Sequence, residues 1–474
     1  MKRFVFLIGL VAMVAVLPVL GLRGPRAWAG PGGADAISAG PNRTCAVKDG
    51  GVWCWGSGGG GGPEEPVQVS SLVPVPVSGL EIGVSAISVG GFHTCAVKDG
   101  GAWCWGSNGF GELGNSSTYD RFAPRGSAVP VPVLGLQSGV SAISAGSGHT
   151  CALKDGGVWC WGQNQYGQLG SNSTTCTPLN GSSSPCSPAP VAVPGLESGV
   201  SAISAGGFQT CAVKDGGVWC WGQNQYGQLG NNSTTDSHVP VAVSGLATGV
   251  TAISVGENHT CALKDGGAWC WGYNAYGALG DPAIAHCADP SCDYSTTGSL
   301  VPVAVSGLTT GVTAISAGGL HTCALKGGGA WCWGFNYTGQ LGNGTTSGPF
   351  AAGSTVPVPV SGLAGGVSAI SAGGSHTCAV ASGGVWCWGS NGDGSLGNNS
   401  MIGSSVPVEV LFTPPTPSPV PSAPPPAPTS SPPNTGTGDI GAPAGSHLFE
   451  AALVTLATGL TLVIVGRRLA GNAG

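Results

Sequence analysis

Charge is scarce in this chain: Asp, Glu, Lys and Arg make up 8% of its 474 residues, and the formal net charge is −6. With no basic stripe to attract phosphates and no long acidic tail, a nucleic-acid partner is excluded. Glutamates are few, five of the 13 aspartates stand in a recurring K-D-G turn, and no Ser/His/Asp or His/Glu spacing stands out. No catalytic group, cofactor site or metal site is therefore read from the chain, which argues against an enzyme. An apolar period of helical type is also missing, which excludes a helical architecture. Glycine (87) and proline (36) are the opposite case, together exceeding a quarter of the residues. Such a level argues disorder in aperiodic sequence, but here the glycines recur in register with apolar runs, so the main body is folded.

The two ends differ from that body. Met1-Lys2-Arg3, an apolar stretch from Phe4 to Leu22, and Ala27-Trp28-Ala29 before Gly30 have the form of a secretory signal over residues 1–29. Export into an oxidising compartment accounts for 18 cysteines as disulfides. After residue 412 a Pro/Ser-rich stretch, 413–447, reads as an extended stalk. Residues 448–466 are apolar enough to cross a membrane, and 467–474, opening near Arg467 and Arg468, form a basic tail on the cytoplasmic side. The expected location is the cell surface.

Between these ends the string T-C-A recurs at Cys45, Cys95, Cys151, Cys211, Cys261, Cys323 and Cys378, and each is followed nine residues later by a cysteine within W-C-W-G. Each unit holds four short runs rich in Val, Ile, Trp and Cys, such as Ala202–Ser204, Thr210–Lys214, Val218–Trp221 and Val239–Val243. A tight two-residue turn, Asp-Gly in five of the units, joins the second and third. Four strands per unit describe one blade, so an all-β, seven-bladed β-propeller is expected over residues 30–412.

If Asp49-Gly50 is a two-residue I′ loop, Lys48 faces Gly51 and Cys45 faces Cys54 in a non-hydrogen-bonded pair, where Cα atoms approach to about 4.5 Å. The same arithmetic pairs Cys95 with Cys104, Cys151 with Cys160, Cys211 with Cys220, Cys261 with Cys270, Cys323 with Cys332 and Cys378 with Cys387. Trp53 and Trp55 then share one blade face and Cys54 takes the other, so both faces are apolar and the tryptophans are core. The ring is expected to close by pairing Val406–Val410 with Ala36–Ala39. His93, His149, His259, His321 and His376 recur at one position, but Arg43 and Gln209 stand there in units one and four. A structural imidazole fits this broken series better than a metal ring.

The string from His149 to Gly170, H-T-C-A-L-K-D-G-G-V-W-C-W-G followed by N-x-x-G-Q-L-G, resembles the repeat of the regulator of chromosome condensation family, whose units form seven-bladed propellers. The resemblance runs from Ala36 to Val410, with Gly58–Gly62 replacing N-x-x-G-Q-L-G in the first unit. The family's founder is a nucleotide exchange factor for a nuclear GTPase, an activity that an exported chain is not expected to share. Secreted bacterial members of this fold are protein-binding modules. Pro433-Asn434-Thr435-Gly436 is similar to the L-P-x-T-G signal of sortase substrates, with Pro432 at the leucine position. Cleavage would fall between Thr435 and Gly436, and simple membrane retention is the alternative.

The repeat breaks in one slot, after the G-Q-L-G segment and before the V-P-V strand: Asn115–Ala128, Ser171–Ala189, Asp281–Leu300 and Asn343–Thr355. Equivalent slots share one face of a ring. Asp120, Arg121, Arg125, His286, Asp289 and Asp293 are the candidate ligand-face residues, and Cys176–Cys186 and Cys287–Cys292 are candidate staples within the two longest connections. The expected function is a surface-displayed binding or adhesion module for an extracellular protein or glycan. The alternative is a secreted glycan-processing enzyme on the same scaffold.

Overall fold

Each repeat forms one four-stranded antiparallel sheet with its strands in sequence order, and the computed structural model contains seven such blades. It describes residues 34–57, 70–117, 126–172, 185–286, 297–349 and 351–412. The expected signal, stalk, sorting motif with Thr435 and Gly436, membrane segment and basic tail lie outside these residues.

Blade four shows the plan: Val200–Ala205, Gln209–Lys214, Gly217–Gly222 and Ser237–Ala242 run from the central channel to the rim. The first three strands extend the apolar runs read from sequence by a residue or two, while the fourth starts two residues earlier and ends at Ala242, leaving out Val243. Asp215 and Gly216 take φ values of 52° and 78°, the paired positive values of a type I′ turn. That turn sets the register Lys214↔Gly217 and Cys211↔Cys220, and blade one repeats it with Cys45↔Cys54. All seven hairpin cysteine pairs are bonded, with Cα atoms 4.1 Å apart.

Strand alternation gives each blade two apolar faces, and neighbours pack unlike face to unlike face. Cys151, Leu153, Val158 and Cys160 of blade three lie against Ala212 and Trp221 of blade four. Trp55, Trp105, Trp161, Trp221, Trp271, Trp333 and Trp388 are fully buried in these junctions, so the second tryptophan of each W-C-W is core as expected, whereas the first is only partly buried and Trp219 is 37% exposed. Burying one such side chain is worth about 4–6 kcal/mol by area, an upper bound.

Ring closure differs from the sequence expectation. The last strand, Ser404–Glu409, pairs within its own blade through Trp386↔Glu409 and Cys387↔Val408. The first strand, Ala34–Ala39, pairs within blade one. The two cannot meet, because the fourth strand of every blade lies at the rim and the first lies at the channel. Blade seven instead packs face on face against blade one, with Cys378, Val380, Val385 and Cys387 against Ala46 and Trp55. Polar links span the same junction: Ala39 N–H donates to Ser371 Oγ at 2.9 Å and Gly374 N–H to the Gly40 carbonyl at 3.1 Å.

Candidate functional site: the loop face

The first-to-second and third-to-fourth strand connections emerge at one end of each blade, and the Asp-Gly turns emerge at the other. The described stems of all the long insertions therefore lie at a single end, and the N-x-x-G-x-L-G motif forms them. In blade three the Asn164 side-chain carbonyl accepts the Leu169 N–H at 3.0 Å, while its amide donates to the Ser171 carbonyl at 3.0 Å. Asn108, Asn224, Asn274, Asn336 and Asn391 bind the backbone N–H five residues on in the same way. In blades two to seven one side chain thus ties the start of the connection to its stem, leaving length beyond the tie free to vary. Gly167, at φ +83°, lies against the next blade; a Cβ there would stand 2.5 Å from His238 Cα.

Beneath the loops a repeated relay joins blades. The Gln168 carbonyl of blade three accepts both Trp221 Nε1–H at 2.9 Å and the Thr210 hydroxyl at 2.9 Å from blade four. Thr210 has spent its proton, so His149 Nε2, 2.8 Å from Thr210 Oγ1, carries the hydrogen and donates. His93, His259, His321 and His376 make the same contact with the next blade's threonine. Burial holds these imidazoles well below their ordinary value of 6.5, to about 3 or 4. They are neutral structural groups, and no cluster able to hold a metal occurs among the described residues.

Inside the ring the first-to-second strand turns line a channel of about 100 Å³. Glu257 stands at its mouth, where partial burial raises its carboxyl above the usual range.

Of the candidate ligand-face residues, His286 is half-buried on a loop stem and donates from Nδ1 to the Ile284 carbonyl at 3.1 Å. Asp120, Arg121, Arg125, Asp289 and Asp293 lie outside the described residues, as do Cys176, Cys287 and Cys292. Cys186 is disulfide-bonded at the start of its strand.

Sequence reading passed over the aromatic side chains of this face. Tyr166 of blade three meets Phe208 of blade four with ring centroids 5.3 Å apart. Tyr226 meets Tyr273 at 4.9 Å and Tyr276 meets Phe335 at 4.7 Å, each again across a blade junction. Their signal was available in sequence, since these residues occupy the N-x-x-G segment, the G-G-F turn and the residue after W-C-W-G.

Residues 23–350 match the RCC1-like domain, and residues 327–380 and 382–420 match the regulator of chromosome condensation (RCC1) repeat. The chain belongs to the RCC1-like family. Among RCC1-like relatives, the mitochondrial RCC1 domain-containing protein RUG3 of Arabidopsis thaliana is 30% identical over 277 residues, covering 56% of this chain and 57% of that one. The ultraviolet-B receptor UVR8 of Arabidopsis thaliana is 30% identical over 213 residues, covering 42% and 44%. The match thus spans about half the length of these relatives. Human WBSCR16 shares the fold, with a TM-score of 0.61 and 23% identity over 76% of this chain and 93% of that one. Yeast RCC1 (Prp20), crystallised bound to Kap60, has a TM-score of 0.62 and 20% identity over 87% and 92%.

Proposed function

We propose that this RCC1-like propeller is a non-enzymatic binding module, displayed outside the cell on its Pro/Ser-rich stalk, and that it recognises a protein or glycan through the loop face. The observation that carries this reading is the division of labour within each blade. The strands and hairpin disulfide repeat in all seven blades and the asparagine tie in six, while the connections between third and fourth strands, whose stems share one end, differ in length. A rigid frame presenting variable loops is how scaffolds separate stability from recognition. The signal-like N-terminus and the sorting-like or membrane-spanning C-terminus support display at the surface, anchored by sortase or by retention.

The test is a binding screen of the intact chain against extracellular proteins and a glycan array. It is repeated after residues 115–128, 171–189, 281–300 and 343–355 are each replaced by the short connection of blade four. Loss of the bound ligand on replacement is expected. Affinity that survives all four replacements would overturn the variable connections as the recognition elements.

A further inference from the structure

We propose that the loop face docks a cationic protein segment, one carrying several Arg or Lys side chains, on an arc of tyrosines and phenylalanines over blades two to six. This rests on the loop face being the binding face and names the chemistry of its partner.

The first observation is segregation. Among the described residues every tyrosine, and every phenylalanine except Phe412, lies in the connections of the loop end or, for Tyr273 and Phe335, on the last strand residue leading into one: Phe92, Phe110 and Tyr166 onward to Phe335 and Tyr337. Tyr119 and Tyr294 belong by sequence to the same connections, outside the described residues. Lysine does the reverse. Lys2 aside, the chain's lysines are Lys48, Lys98, Lys154, Lys214, Lys264 and Lys326, all beside the hairpin turns of the opposite end.

The second observation is continuity and exposure. The ring contacts at 5.3, 4.9 and 4.7 Å bridge blades three to four, four to five and five to six, so an aromatic pair stands at each of three successive junctions of the loop end. Most are half-exposed, and Phe92 and Tyr337 are 54% and 50% exposed. Their rings offer π faces to a ligand instead of completing a core. In blade seven Asp393 takes the place held by Phe110, Tyr166, Tyr226 and Tyr276, so an acid follows the aromatic run.

The third observation is charge. The described loop end carries exposed Asp236, Glu257 and Asp393 with half-buried Asp281, while its Arg43 is buried. π faces edged by carboxylates, with no lysine among them, complement guanidinium or ammonium groups. They also steer such groups inward from a distance. A neutral glycan could stack on the same rings, but the carboxylates would add no comparable steering for it.

The experiment uses the intact chain and three probes: a nona-arginine peptide, a nona-glutamate peptide and neutral cellohexaose. Nona-arginine is expected to bind, and to weaken at least tenfold between 50 and 300 mM NaCl. The triple variant Tyr166→Leu, Tyr226→Leu, Tyr276→Leu keeps apolar bulk but removes the π faces, and is expected to weaken nona-arginine binding about tenfold. Lys98→Ala with Lys214→Ala, at the other end, is expected to leave it unchanged. Circular dichroism and melting establish that each variant is folded. Failure to bind nona-arginine, equal binding of nona-glutamate, or full binding by the leucine variant overturns the proposal. If cellohexaose alone binds and the leucine variant loses it, the loop face stands as the site and the cationic partner falls. If nona-arginine binding follows the lysine end instead, both fall.

Discussion

At the residue scale the hydrogen-bond relay explains why unlike side chains share one position. His149 donates to Thr210 across its junction, whereas Gln209 fills the same slot in blade four and reaches the Gly256 carbonyl at 3.2 Å. The histidines make the ring acid-sensitive. Their folded pKa values of about 3 or 4 lie below the ordinary 6.5, so the unfolded chain binds protons first as pH falls. Stability from this source is full above pH 6.5 and is lost as pH drops towards 4, by about 1.4 kcal/mol per pH unit for each imidazole. Glu257, raised by burial, acts with the opposite sign, gaining stability as pH falls through its folded value. Melting temperature is therefore expected to decline between pH 7 and 5, and the decline should be shallower in His321→Gln; a parallel slope would contradict the linkage. Thr210→Val should cost about 2–4 kcal/mol in urea unfolding, because it strips His149 of its acceptor and removes one donor from the Gln168 carbonyl.

At the scale of the element, the hairpin was the most legible part of the sequence. A two-residue Asp-Gly turn admits one register, and that register alone placed Cys211 opposite Cys220. Strand alternation then placed the second tryptophan of each W-C-W in a blade junction, but not the first, which stays partly exposed. The asparagine tie was not legible, because an Asn five residues before a Leu has no periodic signature and its partners are backbone atoms fixed by the fold. The aromatic pairing was hidden for a related reason: Tyr166 and Phe208 are 42 positions apart in sequence and meet only when two blades are set side by side. Replacing Cys211 and Cys220 together by serine should lower stability by up to about 2–3 kcal/mol, the free-loop value, which is an upper bound because the turn already restricts the unfolded hairpin. Equilibrium unfolding of the oxidised protein measures it. Asn224→Ala should instead leave the blade intact and raise amide exchange over residues 229–236, since Leu229 N–H loses its acceptor and Ser233 its donor.

At the scale of the whole molecule, sequence gave blade number and order correctly but misplaced the closure, since a repeat pattern does not say which strand lies at the channel. Seven equivalent junctions need no exchanged strand: a serine hydroxyl accepts the next blade's N–H at 2.9–3.0 Å at every one, from Ser38 with Val89 round to Ser371 with Ala39. Around the channel a second set of bonds runs from Gly91 to Gly146 and onward to Gly374 with Gly40. That set omits blade one to blade two, where Pro41 has no N–H to give. The same junction carries Arg43 in place of histidine. Its Nη2 reaches the His93 carbonyl at 2.8 Å, but Nε and Nη1 are buried without partners, and Thr94 Oγ1 is left unpaired. Burial lowers the Arg43 pKa to about 10, the mark of a cation held away from water. The ring therefore has one poorly satisfied seam. Arg43→His, which restores the imidazole to a position five other blades use, should remove the buried cation and supply Thr94 with a donor, raising stability by about 1–3 kcal/mol. Gln209→His in blade four removes no cation and should change stability by less than about 1 kcal/mol. Urea unfolding of the two variants decides the matter: the seam is not the weak junction if Arg43→His destabilises the ring or gains no more than Gln209→His.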